Sequence, residues 1–242
     1  MQQDNPTSLR VPDPGVADLL AQDARWQAWL DVEAALARAE AELDMIPAAA
    51  ATEITRKCDL ALFDRARLTE GFQRTGHSLV PLIWELSRLC DGDAGNYVHW
   101  GATTQNITQT GDLLQLRKVH RVFLRQLGAI LAALADLAER SKDMALPGRT
   151  HGQHAVPATY GLKVAVWIDE FARHVERLEQ CGPRVFQTML GGAAGTAASF
   201  GAQGLEVQAR LAAHLDMPPM PVPARTIMGK PKAITTNHTA AV

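Results

Sequence analysis

Apolar residues recur at three- and four-residue intervals along most of the chain, and each such run predicts a helix with one buried face. The first covers residues 23–43, where Trp26, Trp29, Leu36 and Leu43 fall near helical spacing and Pro47 follows the end. Shorter helices are predicted over 48–58 and over 64–75, the latter broken by Gly76. A further one carries Leu82, Ile83, Leu86 and Leu89, with Pro81 in its first turn. The longest run lies at 112–140, where Leu116, Val119, Phe123, Leu127, Ile130, Leu134 and Leu137 form a seam of coiled-coil type. Residues 162–181 repeat the pattern through Val164, Ile168, Phe171, Val175 and Leu178, and Gly182-Pro183 is expected to stop it. A short helix is predicted at 203–215, ahead of a proline-rich stretch.

Three stretches interrupt these helices and carry the chemistry. Residues 91–110 show neither a helical nor a strand period. They gather His99 with Thr103, Thr104, Gln105 and Asn106, neutral donors of the kind that bind a carboxylate without a metal. The alternative reading is a helix start capped by Thr108 or Thr110. Residues 148–161 concentrate Arg149, Thr150, His151, Gln153 and His154 between the two long seams. Such groups are costly to bury unless each finds a partner, which points to a ligand or a transferred proton. A loop capped by its own side chains is the plainer alternative. The spacing of His151 and His154 is metal-like, but Gly152 and Pro157 oppose a helical presentation. No nearby carboxylate or cysteine completes a shell, so no metal is expected. Residues 190–201 are rich in glycine and alanine without the order of a dinucleotide fingerprint or the lysine of a P-loop. Close backbone approach to a substrate or a neighbouring helix is the expectation there.

Composition narrows the class. Of the 242 residues 47% are hydrophobic and only 5% aromatic, so alanine and leucine must fill the core, which favours closely packed helices. The expected fold is all-α. An extended or disordered arm (1–22) leads into an N-terminal helical domain (23–110), then the first long helices of an extended central bundle (111–223), then an aperiodic tail (224–242). The formal net charge of -2, with both signs interspersed, leaves no basic stripe for a nucleic-acid backbone. Cys58, Cys90 and Cys181 are few and far apart, which fits reduced thiols. The N-terminal residues lack a secretory pattern, and no apolar run approaches the ~20 residues of a membrane span. A soluble cytoplasmic protein without a membrane partner is expected.

Four runs, in order and at compatible spacing, resemble the fumarase/aspartase superfamily, in the branch of adenylosuccinate lyase and 3-carboxy-cis,cis-muconate cycloisomerase. They are Arg25 to Glu33 with Ile46-Pro47, His99-Trp100-Gly101-Ala102-Thr103-Thr104-Gln105-Asn106, Gly148-Arg149-Thr150-His151-Gly152-Gln153-His154-Ala155-Val156-Pro157, and Gly191-Gly192-Ala193-Ala194-Gly195-Thr196. The resemblance implies an all-helical homotetramer whose active sites are each built from several chains, acting without a cofactor on a small anionic dicarboxylate-type substrate. The reaction it implies is a β-elimination or its reverse, in which a proton is removed beside a carboxylate and nitrogen or oxygen leaves the adjacent carbon. Such a carbon acid is weak, so donors must stabilise an aci-carboxylate dianion while an acid protonates the leaving group. By this resemblance His151 is the general acid and His77 assists it. Thr103, Thr104, Gln105 and Asn106 bind carboxylate oxygens, Arg25, Gln153 and Lys163 help hold anionic substrate groups, and Thr150 backs His151. For His99 two readings stay open, a contact to the substrate or a donor that stabilises its own turn.

The sequence also departs from the superfamily pattern. Asn106 stands where an aspartate is usual, and Gln109 where another is expected three residues later. The run from His99 to Ala102 is closer to the cycloisomerase and His151 is closer to adenylosuccinate lyase. Two substrate types therefore stay open: adenylosuccinate-like, with C–N cleavage and fumarate release, or carboxymuconate-lactone-like, with C–O cleavage. The Ser-Ser-x-Met-Pro-x-Lys-x-Asn-Pro loop that supplies the superfamily's serine base does not occur in these 242 residues. The expectation is a truncated lyase lacking its base, with a non-catalytic helical assembly module as the alternative.

Overall fold

The structure, a computed structural model, describes residues 11–222. The tail expected at 224–242 lies outside them, as do the first ten residues of the expected arm. The described chain is helical apart from one two-stranded ribbon and short connections, and the all-α expectation holds. It forms two compact units: Lys118–Gly182 is one, and the described residues on either side of that segment make the other.

The larger unit begins with a short helix, α1 (Val16–Leu19), whose first amides are capped by the Asp13 carboxylate at 3.0 Å. Next comes α2 (Gln22–Ala41), on which this unit is centred. Ala28, Trp29, Leu30, Val32, Ala34, Ala35, Leu36, Ala37 and Ala39 are all buried, so the helix is covered around almost its whole circumference rather than along one stripe. Alanine makes this possible, because neighbouring helices can approach from several sides. α3 (Ala48–Lys57) and α8 (Gly204–His214) both pack on it.

α4 (Arg65–Thr75) starts at Asp64, whose side chain accepts from the amides of Ala66 (2.9 Å) and Arg67 (3.3 Å), and it ends at Gly76 in the left-handed conformation (φ 60). α5 (Val80–Leu89) carries Pro81 in its first turn, as its sequence predicts.

α6 (Thr104–Arg140) starts well before the end of the stretch read as aperiodic, which extended to residue 110. The period is hidden because polar side chains face inward in its first turns: Asn106 and Thr110 are both 0% exposed. Neither Thr108 nor Thr110 starts the helix. The Thr110 hydroxyl instead donates to the Met189 carbonyl at 3.3 Å and accepts from its amide at 3.2 Å. The next residue, Gly111, lies against α2, and a Cβ there would come within 2.5 Å of the Trp29 indole.

The smaller unit holds the rest of α6, the ribbon and most of α7 (Tyr160–Val185). β1 (Ala145–Thr150) and β2 (Gln153–Thr159) pair antiparallel, with a register shift between Gly148 and Arg149. This ribbon replaces the loop read at 148–161. His151 (φ 48) and Gly152 (φ 76) form its two-residue turn, and positive φ at both positions matches the right-handed twist of paired strands. Sequence pattern could not show it, since Pro147 and Pro157 face each other across the pair and neither offers an N–H.

α7 runs through Gly182-Pro183 and ends at Val185, beyond the predicted stop. α6 and α7 are tied at one end by His120 Nε2 to the Leu178 carbonyl at 2.9 Å, and at the other by the Gly161 amide to the Ser141 carbonyl at 2.9 Å. Of the predicted seam only Val119 is buried on α6, while Leu116, Phe123 and Ile130 are exposed, as are Leu162, Val166 and Trp167 on α7.

Candidate functional site

The polar run before α6 folds back on the glycine-rich segment. His99 (φ 63) and Gly101 (φ 64) both take the left-handed conformation. This turn brings Gly101 against the Phe200 ring, where a Cβ would overlap the ring at 2.5 Å. Asn106 then ties the two segments together. Its Oδ1 accepts from the amides of Gly192 (3.0 Å), Thr103 (3.3 Å) and Gly191 (3.5 Å). The close backbone approach read for residues 190–201 is thus met by a neighbouring helix start. The Thr103 and Thr104 hydroxyls and the Gln105 amide are part-exposed at the N-terminal end of α6. No hydrogen bond engages them among the described residues. The partial positive charge of a helix N-terminus favours an anion there.

Two carboxylates that the sequence reading gave no role stand beside predicted site residues. Glu33, on α2, places Oε1 at 2.6 Å from Nδ1 of His99. Burial lowers the His99 pKa, but the Glu33 charge and the hydrogen bond to it outweigh burial and hold it raised. Asp112, on α6, accepts from Arg25 Nε (2.8 Å) and Nη2 (2.6 Å) and from the Trp29 indole N–H (3.0 Å). The hydrogen bond to Asp112 is the main cause of the raised Arg25 pKa. Arg25 is therefore already paired and stacked, its guanidinium 5.0 Å from the Trp29 ring centre. Glu33 did carry a readable signal, as a charged residue inside an otherwise apolar helical run.

His77 precedes α5, and its Nδ1 accepts from the amides of Val80 (3.2 Å) and Leu79 (3.3 Å). A neutral imidazole that accepts at Nδ1 carries its proton on Nε2, so His77 offers a donor on its other edge.

In the smaller unit His151 sits exposed at the tip of the ribbon, flanked by Thr150 and Gln153, which pair across the turn. Lys163 is exposed on the first turn of α7, with Nζ 6.0 Å from the Trp167 ring centre. Among the described residues no group of three His, Cys, Asp or Glu side chains is arranged to hold a metal ion, and no helix is long and apolar enough to cross a membrane.

An all-α scaffold carrying these motif runs is that of the fumarase/aspartase-superfamily lyases. The chain belongs to the family described as Lyase (Lyase_1), which it matches over residues 9–240. An adenylosuccinate lyase of Methanothermobacter thermautotrophicus is 42% identical over 216 residues, which is 89% of this chain and 48% of that protein. An N-acetyl-S-(2-succino)cysteine lyase of Enterococcus italicus is 44% identical over 195 residues, 81% of this chain and 43% of that protein. The crystal structure of 3-carboxy-cis,cis-muconate lactonizing enzyme from Pseudomonas putida superposes with a TM-score of 0.81 at 34% identity, covering 87% of this chain and 49% of that one. The chain spans about half the length of the relatives it matches.

Proposed function

We propose that this chain forms part of a cytoplasmic, homotetrameric lyase that catalyses β-elimination beside a carboxylate. Its substrates are small anionic dicarboxylates of adenylosuccinate type, cleaved at C–N with release of fumarate, or of carboxymuconate-lactone type, cleaved at C–O. The N-acetyl-S-(2-succino)cysteine lyase relationship adds a succinyl thioether to the candidates. The observation that carries the reading is the set of hydroxyl and amide donors of Thr103, Thr104 and Gln105 at the N-terminal end of α6, which no hydrogen bond engages among the described residues.

In this reading those donors stabilise the charge that develops on the carboxylate as the neighbouring proton leaves. Asn106 acts from behind them, fixing the Gly191 and Gly192 backbone against the helix start. His151 protonates the departing atom as general acid. Its exposed place at a hairpin tip suits a group that completes a site in a neighbouring subunit. His77, with its donor on Nε2, assists the acid. Arg25, oriented by Asp112, joins His99, Thr150, Gln153 and Lys163 in holding the remaining anionic groups. No metal or other cofactor has a role. The base resides on a serine loop of the kind the superfamily carries downstream of its glycine-rich stretch.

A second reading, a non-catalytic oligomerisation module, draws support from the exposed apolar positions Leu116, Phe123, Ile130, Leu162 and Val166. Joining this chain to the C-terminal half of the Methanothermobacter adenylosuccinate lyase separates the two. Ultraviolet-monitored turnover of adenylosuccinate, N-acetyl-S-(2-succino)cysteine or a carboxymuconate lactone is expected from the lyase. Assembly into a folded oligomer inert toward all three sustains the module instead.

A further inference from the structure

α2 takes two carboxylates into the interior of its unit, Glu33 at 1% and Glu40 at 0% exposure. The elimination chemistry above uses neither. An ionised carboxylate so placed is costly unless it is paired, and the two are treated differently. Glu33 meets His99 at 2.6 Å, whereas neither carboxylate oxygen of Glu40 has a hydrogen-bond partner among the described residues. Burial, and then repulsion from Glu33, push Glu40 up to about 9, so near neutral pH it is an uncharged acid. Of the two buried carboxylates of α2, Glu33 is the one set opposite the imidazole. Cys58, just past α3, also lies within reach of Glu33: burial and then Glu33 raise its thiol well above the usual range, with smaller contributions from Cys90 and Asp31 and an opposing one from the Arg38 guanidinium on α2. That thiol stays neutral and leaves the charge balance between Glu33 and His99 untouched.

His99 is held in a backbone conformation rare for a residue with a side chain, and it opens the run that ends at Thr103 and the start of α6. Nδ1 is committed to Glu33, and Nε2 meets no hydrogen-bonding group among the described residues. The ring is about four-fifths buried, its side chain 20% exposed. The charge state decides what that second nitrogen can do. A neutral ring donating from Nδ1 would present a lone pair at Nε2, which repels a carboxylate, while an imidazolium presents an N–H.

We propose that Glu33 is a positioning residue that holds His99 as an imidazolium, with its Nε2–H presented to a carboxylate of the substrate. This rests on the lyase reading, and it assigns part of substrate recognition to a residue of α2 that substrate never touches. Without the anion, burial alone would strip the proton from His99 and turn a donor into an acceptor.

Nuclear magnetic resonance of the full chain with labelled histidine tests it. His99 is expected to titrate above the ordinary histidine value of ~6.5, and Glu33→Gln is expected to bring it below that value. Glu33→Asp restores part of the shift, which loss of folding could not do. Succinate, the probe, shifts the His99 signal of the wild-type chain near neutral pH, and Glu33→Gln raises the concentration needed by about tenfold, the equivalent of one pKa unit. A wild-type His99 that titrates below ~6.5, or a titration and succinate response unchanged in Glu33→Gln, overturns the proposal. The lyase reading fails separately, by an inert joined enzyme, while the histidine titration still decides the role of Glu33.

Discussion

Replacing Asn106 with alanine tests the tie between the start of α6 and the glycine-rich segment. The side chain is fully buried and one oxygen serves three amides, at 3.0 Å to Gly192 and at 3.3 and 3.5 Å to Thr103 and Gly191. The first is a full hydrogen bond and the others lie at the outer limit of good geometry. Leaving a buried donor without an acceptor costs about 1–3 kcal/mol, so one full and two marginal losses come to about 3 kcal/mol. For a chain of this size that lowers the melting temperature by about 6–12 °C. Asn106→Asp keeps the acceptor, and the helix N-terminus offsets its charge, so its change stays under about 1 kcal/mol. Urea denaturation followed by tryptophan fluorescence measures both variants. Hydrogen exchange at the Gly191 and Gly192 amides should quicken in Asn106→Ala alone. A stability loss below about 0.5 kcal/mol, with exchange unchanged at those amides, would refute the assignment of Asn106 as this tie.

Two further predictions concern α2. Gly111→Ala raises intrinsic helix propensity by about 1 kcal/mol, yet the new Cβ would sit 2.5 Å from the Trp29 indole, so a net loss of about 1–2 kcal/mol is expected in urea denaturation. Glu40 has a pKa raised in the folded protein to about 9, against about 4.3 when unfolded. Folding then takes up a proton between those values, and stability from this group falls as pH rises, by at most about 1.4 kcal/mol per pH unit, levelling off above about pH 9. Glu40→Gln should therefore flatten the decline between about pH 6 and about pH 8 by about 1–3 kcal/mol, and an unaltered slope would show that Glu40 is ionised in the folded protein.

The helices were legible where one face is apolar and the other polar, as at residues 64–75 and 203–215. They became obscure where burial depends on distant partners. The start of α6 reads as a polar loop because Asn106 is buried by a bond to Gly192, 86 residues away. The ribbon at 145–159 is exposed and proline-bearing, so neither alternation nor β-propensity announced it. Candidate site residues emerged from clustering and from the family resemblance, but their supports did not. Glu33 lies 66 residues from His99, and Asp112 lies 87 from Arg25. Local pattern carries no information about such pairings, although a glutamate within an alanine-rich helix marks a carboxylate that is either paired, as Glu33 is with His99, or kept protonated by burial, as Glu40 is near neutral pH.

The central claim is that His151, at the tip of the β1–β2 ribbon, gives a proton to the leaving group. In the enzyme that joins this chain to the C-terminal half of the Methanothermobacter lyase, His151→Asn should lower kcat by about 10²- to 10⁴-fold with the assembly intact, the usual weight of a general acid. The basic limb of the pH–rate profile, set by that acid, should disappear with it. An unchanged kcat and an unchanged basic limb in a folded, assembled His151→Asn enzyme would contradict the account.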